Sequence, residues 1–111
     1  MTQRQDMKKI ADHFGLSTQL EKLREEMREC EESSRIYQSN IELNPDPLAM
    51  TPEEHMDRAT ERLHLIEEMA DVELMLNQIV YLIHGESDFK KMYQHKIERT
   101  LKRIENGYYE S

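Results

Sequence analysis

The stretch HLIEEMADVELMLNQIVYLI, residues His64 to Ile83, is the most apolar run in a very polar chain, yet it carries Glu68 and Asp71 near its start. Burying an unpaired charge is costly, so an apolar helix normally excludes carboxylates. Either these two acids face water or something positive sits opposite them. The run is interrupted by Glu73, Asn77 and Gln78, which excludes a membrane span. Its length and composition read as a helix, and the rest of the chain can be placed around it.

Upstream, Thr51-Pro52-Glu53-Glu54 announces the start of that helix. Thr51 serves as cap, Pro52 sits in the first turn, and Glu54 closes a capping box. Met56, Ala59, Leu63, Ile66 and Ala70 carry an apolar stripe onward without a breaker. The spacing therefore predicts one helix from Pro52 to His84, roughly 50 Å at about 1.5 Å per residue, ended by Gly85. Before it, Asn44-Pro45-Asp46-Pro47 breaks any helix, because each proline removes a donor and restrains its predecessor. Ser39 to Met50 reads as a loop.

Two helices are expected ahead of that loop. Residues 3 to 13 have Met7, Ile10, Ala11 and Phe14 on one side, with Gly15 as the stop. Ser17 or Thr18 is the expected cap of the next helix, which should reach about Tyr37 along the stripe Leu16, Leu20, Leu23, Met27 and Cys30. After Gly85, Ser87 is the expected cap of a helix through Glu105. Phe89, Tyr93, Ile97, Leu101 and Ile104 should face inward there, with Gly107 near its end. No strand pattern, repeat or low-complexity segment is visible. The expected fold is all-α, a bundle of about four helices formed by residues 1–107 as one domain, with 108–111 as a C-terminal tail.

Composition agrees. Of 111 residues 34% are charged and 37% hydrophobic, with three Gly and three Pro, which describes long polar helices. So little apolar material implies a core completed by another subunit, a homodimer or homotetramer. The net charge of −8 argues against broad contact with a nucleic acid polymer or an anionic membrane. Residues 90–103 nevertheless carry a local +5, leaving −13 on the remainder. This suits a metal-bound polyanion or simple intramolecular charge balance. Cys30 is the lone cysteine, so no intrachain disulfide forms, and the N-terminal residues lack an apolar signal core. A cytoplasmic protein is expected.

Two acidic patterns carry the chemistry. Lys22-Leu23-Arg24-Glu25-Glu26-Met27-Arg28-Glu29 contains Glu-Glu-x-x-Glu, and Glu67-Glu68-Met69-Ala70-Asp71 contains Glu-x-x-Asp. Residues three apart lie on one helical face, so each pattern projects two carboxylates together. If the helices pack antiparallel, four carboxylates converge. That is strongly unfavourable unless a hard divalent cation sits among them. Mg²⁺ or Mn²⁺ takes oxygen ligands and retains positions for water or phosphate. The histidines do not form a metal-ligand spacing, and His64 reads as a packed or capping residue. Asn77 and Gln78 read as base-reading groups or as hydrogen-bonded packing at a subunit seam.

These residues, with Gly15, Gln19 and the late Lys96-x-x-Arg99 and Arg103, resemble the MazG-like all-α nucleoside triphosphate pyrophosphohydrolases over about residues 7–104. The resemblance implies an oligomeric helical bundle that uses Mg²⁺ to cleave a nucleoside triphosphate into a nucleoside monophosphate and pyrophosphate. It implies Glu26, Glu29, Glu68 and Asp71 as metal ligands and Glu25 as a further catalytic residue that holds a second metal or orients water. It also implies Gln19 and Lys22 as contacts to base or sugar, and Lys96, Arg99 and Arg103 as partners of the phosphates. Two other readings compete with it, a non-catalytic helical dimerisation protein and a regulator that binds nucleotide without turnover.

Overall fold

The structure, a computed structural model, describes residues 1–107 and consists there of four α-helices and one short 3₁₀ turn. Helix α1 spans Gln3–Phe14, α2 Leu16–Leu43, α3 Pro52–Leu82 and α4 Glu86–Glu105, with the 3₁₀ turn at Pro47–Ala49. The all-α expectation holds, and no described helix is long and apolar enough to cross a membrane. The expected tail, Tyr108 to Ser111, lies outside the described residues.

Local chemistry explains most of the boundaries. Thr2 and Gln5 form a capping box on α1, and Thr51 and Glu54 form the expected one on α3. Gly15 adopts φ 81° and ψ 167°, a conformation reserved for glycine, and so joins α1 to α2 with no intervening residue. Ser17 and Thr18 are therefore not caps but sit in the first turn of α2. That helix also passes the expected end at Tyr37 and runs to Leu43. The polar residues Ser39 and Asn40 tolerate helix, and the first obligatory breaker is Pro45. Arg58 of α3 secures the extension. Its guanidinium donates to Asn40 Oδ1 at 2.7 Å, to the Asn40 carbonyl at 3.1 Å and to the Asn44 carbonyl at 2.6 Å. The last carbonyls of α2 thus find a charged donor in place of water.

At the other end, α3 stops at Leu82, two residues before the expected His84. His84 takes the left-handed position at φ 55°, and the Gly85 N–H donates back to the Val80 carbonyl at 2.9 Å. This is the Schellman arrangement, with histidine where glycine is usual. Gly85 then flanks α4 directly with no side-chain cap, so Ser87 does not cap that helix.

The organising contact is an antiparallel pairing of α2 with α3, evident from Gln19 meeting Gln78 and Asn40 meeting Arg58. The covered positions on α2 are Gln19, Leu23, Glu26, Cys30, Ser33, Tyr37 and Asn40; on α3 a matching series runs Arg58, Glu61, Leu65, Glu68, Val72, Met75 and Ile79, with Gln78 also buried beside its end. Both series alternate steps of four and three, the 3.5-residue period of a coiled coil. The seam differs from the expected stripe. Leu23 and Cys30 lie in it, but Leu16, Leu20 and Met27 stay more than one third exposed, while Gln19 and Ser33 are buried. On α3 the expected stripe of Met56, Leu63 and Ile66 faces away from α2 and is exposed. Helix α1 packs against α3, where Ala11 is buried and the Tyr81 hydroxyl donates to the Asp12 carboxylate at 2.9 Å.

Helix α4 contradicts one expectation outright. None of its residues is buried, and Phe89, Tyr93, Ile97, Leu101 and Ile104 are 40–63% exposed. It touches α3 sparsely beyond their junction, where the Arg4 guanidinium of α1 pairs with Glu86. The radius of gyration is 18.4 Å, against about 13 Å for a compact domain of this length. A single chain leaves much of its apolar surface bare.

Candidate metal centre

The seam carries carboxylates at its middle because Glu26 and Glu68 occupy heptad positions that an ordinary coiled coil fills with apolar side chains. Antiparallel pairing brings them face to face. Asp71, one turn after Glu68, reaches the same point. Carboxylate oxygens of Glu26, Glu68 and Asp71 all lie within 4.8 Å of one another, with Glu26 and Glu68 half-buried and Asp71 exposed. Buried oxygens of Glu26 and Glu68, Oε2 in each, have no hydrogen-bond partner.

The electrostatics follow from this crowding. Desolvation, then Asp71 and Glu29, push the Glu26 carboxyl above the usual glutamate range, Glu68 adds to this, and Lys22 opposes it. Desolvation likewise raises Glu68, followed by Glu29, with Asp71 and Glu67 adding and His64 opposing. His64 Nε2 stands 3.6 Å from Glu68 Oε1 and its Nδ1 3.9 Å from Glu67. Three carboxylates within one small volume, two with orphaned buried oxygens, fit a hard divalent cation: all donors are oxygen, and the exposed side leaves room for water or phosphate.

The remaining expected site residues are placed less closely. Glu29 lies outside the three-carboxylate group, although its charge acts on both Glu26 and Glu68. Glu25 is exposed on α2. Lys22 is near enough to act on Glu26. Gln19 is 1% exposed, its Nε2 donating to Gln78 Oε1 at 2.5 Å; Gln78 is fully buried. Gln78 thus packs within the chain between α2 and α3, and Asn77 is exposed. Lys96, Arg99 and Arg103 sit on α4, and the charges acting most on Glu26 and Glu68 all come from α2 and α3. Sequence reasoning passed over His64 as the partner of Glu68 and Gln78 as the partner of Gln19. Both had a signal: His64 lies four residues, one helical turn, before Glu68, while Gln19 lies seven before Glu26 and Gln78 seven after Asp71, two turns along the faces that carry the acids.

The raised carboxyls predict an unusual pH response. A glutamate with a raised folded-state pKa holds more protons folded than unfolded, so it costs stability once ionised and that cost is relieved as pH falls through its folded value. Glu54, lowered by its hydrogen bonds with Thr51, and Glu86, lowered by Arg4, act oppositely. Their contribution is present above the unfolded value and lost as pH falls through the folded one. In EDTA, the urea midpoint is expected to rise as pH drops from neutral into the window just above the ordinary glutamate value, then fall in stronger acid. With Mg²⁺ present the initial rise should vanish, because protons then displace the cation. A midpoint that stays flat in EDTA across that window would refute the charge crowding.

No family model, curated protein or solved structure matches this chain.

Proposed function

We propose that the protein is an Mg²⁺-dependent nucleotide pyrophosphohydrolase of the MazG-like kind, converting a nucleoside triphosphate to a nucleoside monophosphate and pyrophosphate and working as a homo-oligomer. The observation that carries this reading is the meeting of Glu26, Glu68 and Asp71 from two helices, with carboxylate oxygens within 4.8 Å of one another and a buried unpartnered oxygen on each of the two glutamates. Acids placed this way at seam positions destabilise the chain, so a compensating ligand is the physical reason to keep them. Glu26, Glu68 and Asp71 would hold the metal, with Glu29 beside them and Mn²⁺ as a substitute. When bound, Mg²⁺ polarises a phosphoryl oxygen and lowers the pKa of water. Glu25, on the open side of α2, orients water, and Lys22, near enough to act on Glu26, contacts base or sugar.

A second reading, a non-catalytic helical pairing protein, is favoured by the bare apolar faces of α3 and α4. The two separate in one assay. Purified protein is incubated with Mg²⁺ or Mn²⁺ and a panel of standard and modified nucleoside triphosphates, and monophosphate and pyrophosphate are measured. Stoichiometric release of both from at least one nucleotide is the expected result. Absence of turnover together with absence of Mg²⁺-dependent nucleotide binding would leave the pairing reading.

A further inference from the structure

Helix α4 is the element whose whole expected inner face is left bare. Its apolar residues Phe89, Tyr93, Ile97, Leu101 and Ile104 recur at steps of four and three, the pattern of a helix packed along its length. All of them are exposed, as is Met92 at 64%. Lys96, Arg99 and Arg103 follow one another at steps of three and four and form a cationic row beside that stripe. Residues 90–103 carry a net +5. The paired helices α2 and α3 carry 15 Asp and Glu against six Lys and Arg. Yet within one chain the charges that act most on the crowded Glu26 and Glu68 include none from α4.

We infer that α4 is an exchanged arm, which lies across the α2–α3 pair of a second copy and brings Lys96 and Arg99 to the acidic cluster there. Three observations specify a second copy rather than another partner. The arm is basic and the surface of opposite charge that matches it is this chain's own. The receiving helices expose apolar side chains of their own, including Met27, Leu63, Ile66 and Met69, at 44–62%. The areas also suffice. The six apolar side chains of α4 are 40–64% exposed. At about 150–250 Å² for a large side chain this leaves on the order of 500 Å² to cover, and a two-fold exchange uses each arm and each receiving face once. This gives roughly 1,000 Å² per copy, above the roughly 800 Å² of a standard stable interface. A closed two-fold pairing of this kind satisfies both copies and leaves no arm free. The cluster is then acidic from one chain and basic from the other, which is the charge arrangement a metal-bound polyphosphate requires. In its catalytic consequence the inference rests on the pyrophosphohydrolase reading; in its structural consequence it does not.

Two experiments test these parts separately. Sedimentation velocity of the full chain should give a dimer or larger at micromolar concentration, and Ile97→Glu with Leu101→Glu should convert it to a monomer that retains its helical circular dichroism. A zero-length lysine–carboxylate crosslinker applied to mixed ¹⁴N and ¹⁵N chains should join Lys96 to acidic residues of α2 or α3 in mixed-isotope products. A monomeric wild type, or crosslinks confined to single-isotope products, would overturn the arm whatever the protein's activity. For the shared site, Glu68→Gln and the double variant Lys96→Ala, Arg99→Ala are each expected to be inactive. Co-refolded in equal amounts they should recover about a quarter of wild-type turnover, since half the dimers contain one intact site of two. No recovery from a mixed dimer would place the cations in the same chain as the acids and overturn the exchange. If the wild type itself lacks turnover, the pyrophosphohydrolase reading fails while sedimentation and crosslinking still decide the arm.

Discussion

Glu68→Gln and Asp71→Asn are each expected to abolish Mg²⁺-dependent pyrophosphate release while making the metal-free protein more stable to urea. Loss of one charge-bearing group at such a site costs on the order of 10²–10³-fold in turnover. The stability change has the opposite sign because Glu68 is held above the usual glutamate range by burial and by Glu29 and Asp71. Removing its charge relieves repulsion that only a cation would otherwise offset. The amide keeps the shape of the carboxyl, so the seam is not hollowed. The measurement pairs a phosphate-release assay with urea midpoints in EDTA and in Mg²⁺. The wild type should gain stability on adding Mg²⁺, by binding to the folded state alone, and the variants should gain little. A variant that loses stability in EDTA would mark Glu68 or Asp71 as a structural acid with a positive partner, and the metal site would fall with it.

The second large effect lies two turns along the same seam. Gln19 and Gln78 are its largest fully buried side chains, joined by a 2.5 Å hydrogen bond. Gln78→Ala removes the acceptor of Gln19 Nε2 and leaves a cavity in a protein whose other buried side chains number few. Gln19 Oε1 and Gln78 Nε2 already lack partners in the wild type, so the substitution exchanges one stranded group for another. The expected loss of roughly 2–4 kcal/mol comes from the broken hydrogen bond and the cavity, with Gln19 left buried and wholly unpartnered. Replacing both by leucine should cost far less, since no polar group is then stranded. The double variant also tests register. A buried polar pair fixes how two heptad helices align, and the seam one heptad away holds Glu26 opposite Glu68. Sedimentation and crosslinking patterns that change in the double variant, at near-normal stability, would identify the glutamines as the device that sets alignment. A double variant as unstable as the single one would refute the stranded-donor argument.

The sequence was informative wherever the physics is local. Thr51-Pro52-Glu54 marked the start of α3, Gly15 the junction of α1 and α2, and Pro45 the latest point at which α2 could end. These depend on backbone conformations and caps that a few adjacent residues settle. The spacing of Glu26 with Glu29 and of Glu68 with Asp71 likewise put each pair on one helical face, and Glu26, Glu68 and Asp71 do meet. The end of α2 was less legible because Arg58, eighteen residues downstream of Asn40, supplies the donors that hold its last carbonyls.

What the chain alone determined is therefore its helices and the faces on which its acids stand. Helical periodicity is a property of each segment and survives without any partner. What only the tertiary structure decided is which face of each helix is covered. On α3 two stripes compete, Leu63 and Ile66 on one side and Leu65, Val72, Met75 and Ile79 on the other, and α2 took the second. That choice buried Gln19 and Gln78, left Leu20 and Met27 outside, and set Glu68 against Glu26. It follows from the summed contacts of two whole helices in one alignment, a quantity that no window of the sequence contains.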